Sequence, residues 1–185
     1  MLDTKDFENI AVELKEFEIQ RERLISSARA VIQLSKLIIY AIQRDDVPKA
    51  ESLAKDIRRR VAELPSGDYE TEMHSVAVQE YVEAMTLLSF VREGRIANRE
   101  ELDVNTSDYL LGLCDLTGEL VRLAINKAIR KDYSYALRIK SAVEEIYGEF
   151  LKFDLRNGPL RKKADSLKWN LKKLEELALS ISAKA

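Results

Sequence analysis

Apolar residues recur along this chain at three- and four-residue steps, in long blocks separated by short polar breaks, the pattern of amphipathic helices packed on one another. The first block runs from about Asp3 to Gln43, where Phe7, Ile10, Leu14, Phe17, Leu24, Ala28, Val31, Ile32 and Ile39 keep the period. A helix of roughly 40 residues would extend about 60 Å, enough to span a whole subunit and to reach into an assembly. Asp45, Asp46, Val47 and Pro48 break it. A second helix is expected from about Pro48 to Leu64, with Leu53, Ile57, Val61 and Leu64 on one side, and Pro65, Ser66 and Gly67 end it.

The third block, about Tyr69 to Arg92, is apolar round much of its circumference and should be central. Gly94 closes it, and Asn98 is placed to cap a short turn of helix through Leu102. The block from Thr106 to Arg130 carries Leu110, Leu113, Leu116, Leu120, Leu123 and Ile125, with Thr106 or Ser107 expected as its cap. After a break at Lys131 and Asp132, a helix from about Tyr133 to Leu151 presents Leu137, Ile139, Val143, Ile146, Tyr147 and Phe150. Arg156, Asn157, Gly158 and Pro159 form a turn signal ahead of the last helix, where Leu160, Leu167, Leu171, Leu174, Leu177 and Ile181 mark a heptad-like seam. The pattern predicts an all-α fold of seven helices, and residues 1–185 show no internal repeat or long linker, so a single domain is expected.

Composition agrees, since 6 Gly and 3 Pro among 185 residues, with 34% charged, favour helix throughout. Cys114 is the only cysteine and falls inside an apolar helix, which predicts a buried thiol, no intrachain disulfide and a cytoplasmic setting. No basic-then-apolar leader and no uninterrupted apolar run near 18 residues is present, so neither secretion nor membrane insertion is expected. The net charge of −2 conceals an asymmetry: residues 122–173 carry an excess of about eight positive charges. Such a segment can present a positive groove to a polyanion, although solvated helix faces would read the same way. Arg21, Arg58, Arg59, Arg60, Lys127, Arg130 and Lys131 are candidate contacts to a nucleic-acid backbone, and Tyr69 and Tyr81 candidate stacking platforms, with a core role favoured for Tyr81.

The chemistry lies in two pairs of acids. Asp115 and Glu119 are four residues apart, about 40° round the helix axis, and project from nearly one face. Glu80 and Glu83 are three apart, about 60°, and share a face of the third helix. Either pair alone would suit a solvent boundary. Packed together, the two helices would converge four carboxylates that repel unless protons, bases or a metal neutralise them. Oxygen ligands favour Mg²⁺, with Mn²⁺ as a substitute, over zinc. Di-iron bundles require Glu-x-x-His pairs, and the chain has one histidine, His74. That count also removes a paired-histidine ribonuclease within one subunit, and leaves His74 as a structural residue or an RNA contact.

The segments QEYVEA (Gln79 to Ala84) and DYLLGLCDLTGELVRLAIN (Asp108 to Asn126) closely resemble the translin-associated factor X (Trax-like) branch of the translin family. The last helix, PLRKKADSLKWNLKKLEELALSIS, is more similar to translin itself. The resemblance implies a seven-helix all-α bundle with long antiparallel helices, assembly into a closed octameric shell, and single-stranded RNA, or single-stranded DNA, bound within it. It further implies a Mg²⁺-dependent endoribonuclease site at Glu80, Glu83 and Asp115, to which Glu119 adds a supporting acid. Translin itself keeps the fold without the full acidic set, so a non-catalytic nucleic-acid-binding shell is the alternative. Because this chain joins factor-X-like acids to a translin-like last helix, self-assembly is expected, as a homo-octamer.

Overall fold

The computed structural model describes residues 2–183, which form seven helices and no strand. Helix α1 spans Thr4–Gln43, α2 Val47–Ala62, α3 Met73–Glu93, α4 Arg99–Leu102, α5 Thr106–Ile129, α6 Tyr133–Phe150 and α7 Pro159–Ser182. Tight turns after α1 and α5 fold α2 back along α1 and α6 back along α5, while α7 closes on α5 and α6. Asp46 caps α2 by accepting from the Lys49 amide, and Asp132 caps α6 by accepting from the Tyr135 amide.

Several details differ from the sequence expectation. Asn105, rather than Thr106 or Ser107, caps α5, its side chain accepting from the Asp108 amide at 2.9 Å. The third helix begins at Met73, four residues after Tyr69, because Pro65, Gly67 and a left-handed Glu70 (φ 50°) keep the preceding segment irregular. Tyr69 there packs its ring 5.8 Å from that of Phe17. Gly94 and Asn98 behave as expected: Gly94 ends α3 at φ 71°, and Asn98 forms a capping box with Glu101.

The core is one contiguous cluster to which all seven helices contribute, with α3 at its centre. Tyr81 is buried among its residues, which assigns it to packing. The second half of α1 joins that cluster through Leu24, Ala28, Val31, Ile38 and Ile42. An 18-residue stretch of this helix reaches a mean hydropathy of 1.3 with at most two charges, a composition that also suits a membrane span. Its apolar side is accounted for by α2 and α3, which cover it. The first half of α1 carries the same periodicity yet leaves Phe7, Ile10 and Leu14 exposed, and Ile125 and Leu137, also expected inside, face outward.

Candidate active site

Helices α3 and α5 bring the two acidic pairs together, and Gly112 is the reason they can. A Cβ at Gly112 would lie 2.7 Å from Val82 Cβ and 2.8 Å from the Gln79 carbonyl oxygen, closer than packed atoms tolerate. With only hydrogen there, α5 seats against the stretch of α3 that carries Glu80 and Glu83. Asp115 follows Gly112 by almost one turn, and Glu119 by two, so both side chains reach the same seam.

All four acids are half-buried. Burial raises the Glu83 carboxyl to about 8, and the charges of Asp115, Glu80 and Glu119 push in the same direction. Glu80 is raised too, first by burial, with Asp115 and Glu119 adding to it and Lys36 of α1 and Lys163 of α7 opposing it. Burial is also the main reason the neighbouring Cys114 thiol is pushed up to about 12, which makes it inert at neutral pH.

Two polar arms hold the acids. Gln43, near the end of α1, donates to Glu119 Oε2 at 2.8 Å and to the Glu119 carbonyl at 3.0 Å, and itself accepts from Asn126 at 3.0 Å. Lys163 Nζ donates to Asp115 Oδ2 at 2.5 Å and to Gln79 Oε1 at 3.1 Å. Gln79 is fixed in turn from below: its Nε2 donates to Ser75 Oγ at 2.8 Å and to Asp108 Oδ1 at 3.3 Å, and buried Asp108 takes further bonds from Ser75 and Asn105. A cleft of about 680 Å³ opens beside this arrangement, between α3, α5 and the segment leading into α7, and Glu80, Asp115, Arg156 and Lys163 line it.

Four carboxylates whose repulsion is only partly compensated match the donor chemistry of a hard divalent cation, which Glu80, Glu83 and Asp115 could hold. As they stand, no three acidic, histidine or cysteine side chains among the described residues are grouped around one point in ligating fashion. Asp115 is instead drawn toward Lys163 and Glu119 toward Gln43.

The basic residues singled out in the sequence lie elsewhere. Arg59 and Arg60 share Asp56 at 2.7 and 2.9 Å, and Arg21 sits near Glu18 and Glu22 on α1. Lys127 meets Asp45 at 2.8 Å and stands over the Tyr135 ring, while Arg130 pairs with the other oxygen of Asp45. Lys131 takes a left-handed turn (φ 65°) between α5 and α6. Arg58 faces a second cleft of about 380 Å³, shared with His74 and Tyr81. Lys36, Arg122, Arg156 and Lys163 are the cations at the acid patch and its cleft, and sequence reading missed them as site residues. The only signal for Lys163 was the cluster of lysines on the last helix; nothing local ties it to Asp115, 48 residues away.

Comparison with known proteins gives this geometry its context. The chain is 37% identical to translin of Gallus gallus over 107 residues, 55% of this chain and 47% of that protein, so it matches about half the length of that relative. Against translin-associated protein X of Rattus norvegicus it is 25% identical over an alignment of 226 residues that covers 96% of this chain and 78% of the relative. Among solved structures, apo-NeC3PO superposes with a TM-score of 0.85 at 28% identity over 97% of both chains. AfC3PO in complex with duplex RNA gives 0.84 at 26% identity over 97% of both. Residues 19–184 match the translin family throughout, and with the seven-helix architecture in agreement, the chain belongs to the translin family.

Proposed function

We propose that this protein is a metal-dependent endoribonuclease that cleaves single-stranded RNA inside a closed shell built from copies of itself. The observation that carries the reading is the packing of α3 on α5 at Gly112, which crowds Glu80, Glu83, Asp115 and Glu119 into one half-buried patch. Likeness to AfC3PO, solved with duplex RNA, and to NeC3PO supports nucleic acid as the ligand. The exposed apolar residues Phe7, Ile10 and Leu14 on the free half of α1 support self-association, which we propose reaches an octamer.

In this reading Glu80, Glu83 and Asp115 hold Mg²⁺, for which Mn²⁺ can substitute. Bound there, the ion supplies charge neutralisation at a phosphodiester and lowers the pKa of a coordinated water. Glu119, tethered by Gln43, keeps a fourth negative charge beside the other three, and Arg156 in the cleft adds positive charge where a phosphate backbone would lie. Hydrolysis of this kind leaves a 5′-phosphate and a 3′-hydroxyl, whereas attack by the ribose 2′-hydroxyl leaves a cyclic phosphate.

End-labelled single-stranded RNA incubated with the purified protein, in Mg²⁺ or in EDTA, tests the reading beside a Glu80→Ala/Glu83→Ala double variant. Cleavage is expected only with metal and only with the glutamates present. One observation favours a second reading, a non-catalytic shell that binds single-stranded RNA or DNA: Lys163 already compensates Asp115. Salt-sensitive binding without a metal-dependent product would decide for that shell.

A further inference from the structure

Lys163 is held more deliberately than a surface lysine needs to be. Its ammonium is shared between Asp115 Oδ2 at 2.5 Å and Gln79 Oε1 at 3.1 Å. The Gln79 amide cannot turn freely, because its nitrogen side faces Ser75 and the buried carboxylate of Asp108, leaving only its oxygen for Lys163. Asp108 is anchored at the N-terminus of α5 by Asn105. Three helices therefore cooperate to seat one positive charge against the acid patch, at the carboxylate that a metal would need.

We propose that Lys163 is a built-in competitor for the metal, holding Asp115 until a divalent cation displaces the ammonium into the adjoining cleft. The proposal rests on the metal reading of Glu80, Glu83 and Asp115. The geometry supports displacement rather than permanent pairing. The Lys163 and Asp115 side chains are 37% and 35% exposed, so the departing ammonium is rehydrated at once, and the 680 Å³ cleft beside it offers room to swing. A divalent ion carries twice the charge of an ammonium and binds several carboxylates at once, whereas Lys163 pairs with one carboxylate, that of Asp115, and the neutral amide of Gln79. Lys163 thereby reduces the mutual repulsion of the acids and raises the metal concentration at which the site fills.

Binding of Mn²⁺ alone, followed by loss of the free-ion signal in electron paramagnetic resonance, tests this on wild type, Lys163→Met and Lys162→Met. Met keeps the length of the side chain and removes the charge, and melting curves check that each variant is folded. Lys163→Met is expected to bind Mn²⁺ about ten-fold more tightly, the scale of one charged hydrogen bond released. Lys162→Met removes an equal charge from the next, exposed position and should stay within roughly two-fold of wild type, as a screened surface charge does. Equal Mn²⁺ affinity in wild type and Lys163→Met would overturn the competition while leaving the metal site standing, and equal tightening by Lys162→Met would overturn it too. If neither wild type nor Lys163→Met binds Mn²⁺, the metal reading itself falls, and the competition with it.

Discussion

Glu101 and Glu83 are glutamates on neighbouring helices of one chain, and their carboxyls lie on opposite sides of the ordinary range, at about 2 and about 8. Arg95 grips Glu101 with two hydrogen bonds of 2.8 Å, and the Asn98 amide adds a third at 2.7 Å. Asp56 and Asp45 are treated in the same way, each meeting two basic side chains. At these three acids the fold supplies a cation. At the α3–α5 seam it packs four acids together, and among the described residues only Asp115 and Glu119 of these have salt-bridge partners, Lys163 and the more distant Arg122. Glu101, Asp56 and Asp45 are each matched by cations, whereas the seam acids are matched in part by Lys163, Arg122 and a proton on Glu83. The metal proposal is that a divalent cation takes that proton's place.

The most damaging way to break this contrast is to remove Asp115, which with Glu80 faces the cleft. Asp115→Ala should lower Mg²⁺-dependent RNA cleavage by about 10²-fold or more, the scale of losing one charge-stabilising group from an active site. Sedimentation should show assembly unchanged. Cleavage at the wild-type rate would take Asp115 out of the site.

Gly112→Ala attacks the seam instead of the charges. The new methyl would fall 2.7 Å from Val82, so α3 and α5 must separate. Overpacking of this kind should destabilise by about 1–3 kcal/mol in urea titrations. Activity should fall further than stability, because the two glutamates sit on one side of the contact and the two other acids on the other. Full activity with normal stability would mean that the close approach is not what assembles the site.

Much of this was legible beforehand, for reasons that also mark where legibility stopped. Helix existence follows from periodicity, a local property, so six long helices and the short turn at Asn98 were readable. Periodicity says nothing about the partner: Phe7, Ile10 and Leu14 repeat as regularly as Leu24, Ala28 and Val31, yet the first set is exposed and the second buried. Caps went astray by a residue because Asn105, Thr106 and Ser107 all suit the role, and only the backbone decides among them. Glu80, Glu83, Asp115 and Glu119 could be paired within helices by angle, whereas Gln43, Gln79 and Lys163 join the patch through tertiary contacts spanning 48 to 84 residues. The basic candidates divide: Arg59 and Arg60 pair with Asp56 at the three- and four-residue spacing that a helix makes legible, whereas Lys127 and Arg130 reach Asp45 only through the fold.

Glu83→Gln sharpens the contrast through its pH dependence. The Glu83 carboxyl titrates near 4.5 in the unfolded chain and near 8 in the folded one, so between these values the folded protein holds a proton that the unfolded chain has released. Wild-type stability therefore falls as pH rises through that window, and the variant, with nothing to titrate, escapes the fall. Without divalent metal, Glu83→Gln should exceed wild type by on the order of 2 kcal/mol near pH 9 and by little near pH 5, after discounting for partial exposure. Saturating Mg²⁺ should close the gap, because the ion stabilises the ionised carboxylate.

Glu101→Gln is the smallest effect and the mirror of the last. Its folded carboxyl is held near 2, below the ordinary 4.5, by Arg95 and the Asn98 amide, so the stabilisation it contributes is present above the upper value. That contribution disappears as pH falls through the lower one. The group lies at the surface, so the loss in melting temperature should be slight and should shrink further in high salt. The sign is what matters. Glu101→Gln should melt below wild type at neutral pH and converge with it in acid, whereas Glu83→Gln should melt above wild type in base and converge with it near pH 5. Mg²⁺ should move the second pair of curves and leave the first alone. If both variants responded to pH in the same direction, or if Mg²⁺ shifted them equally, the four acids of the α3–α5 seam would be ordinary surface charge, no different from those that Arg95 and its counterparts already satisfy.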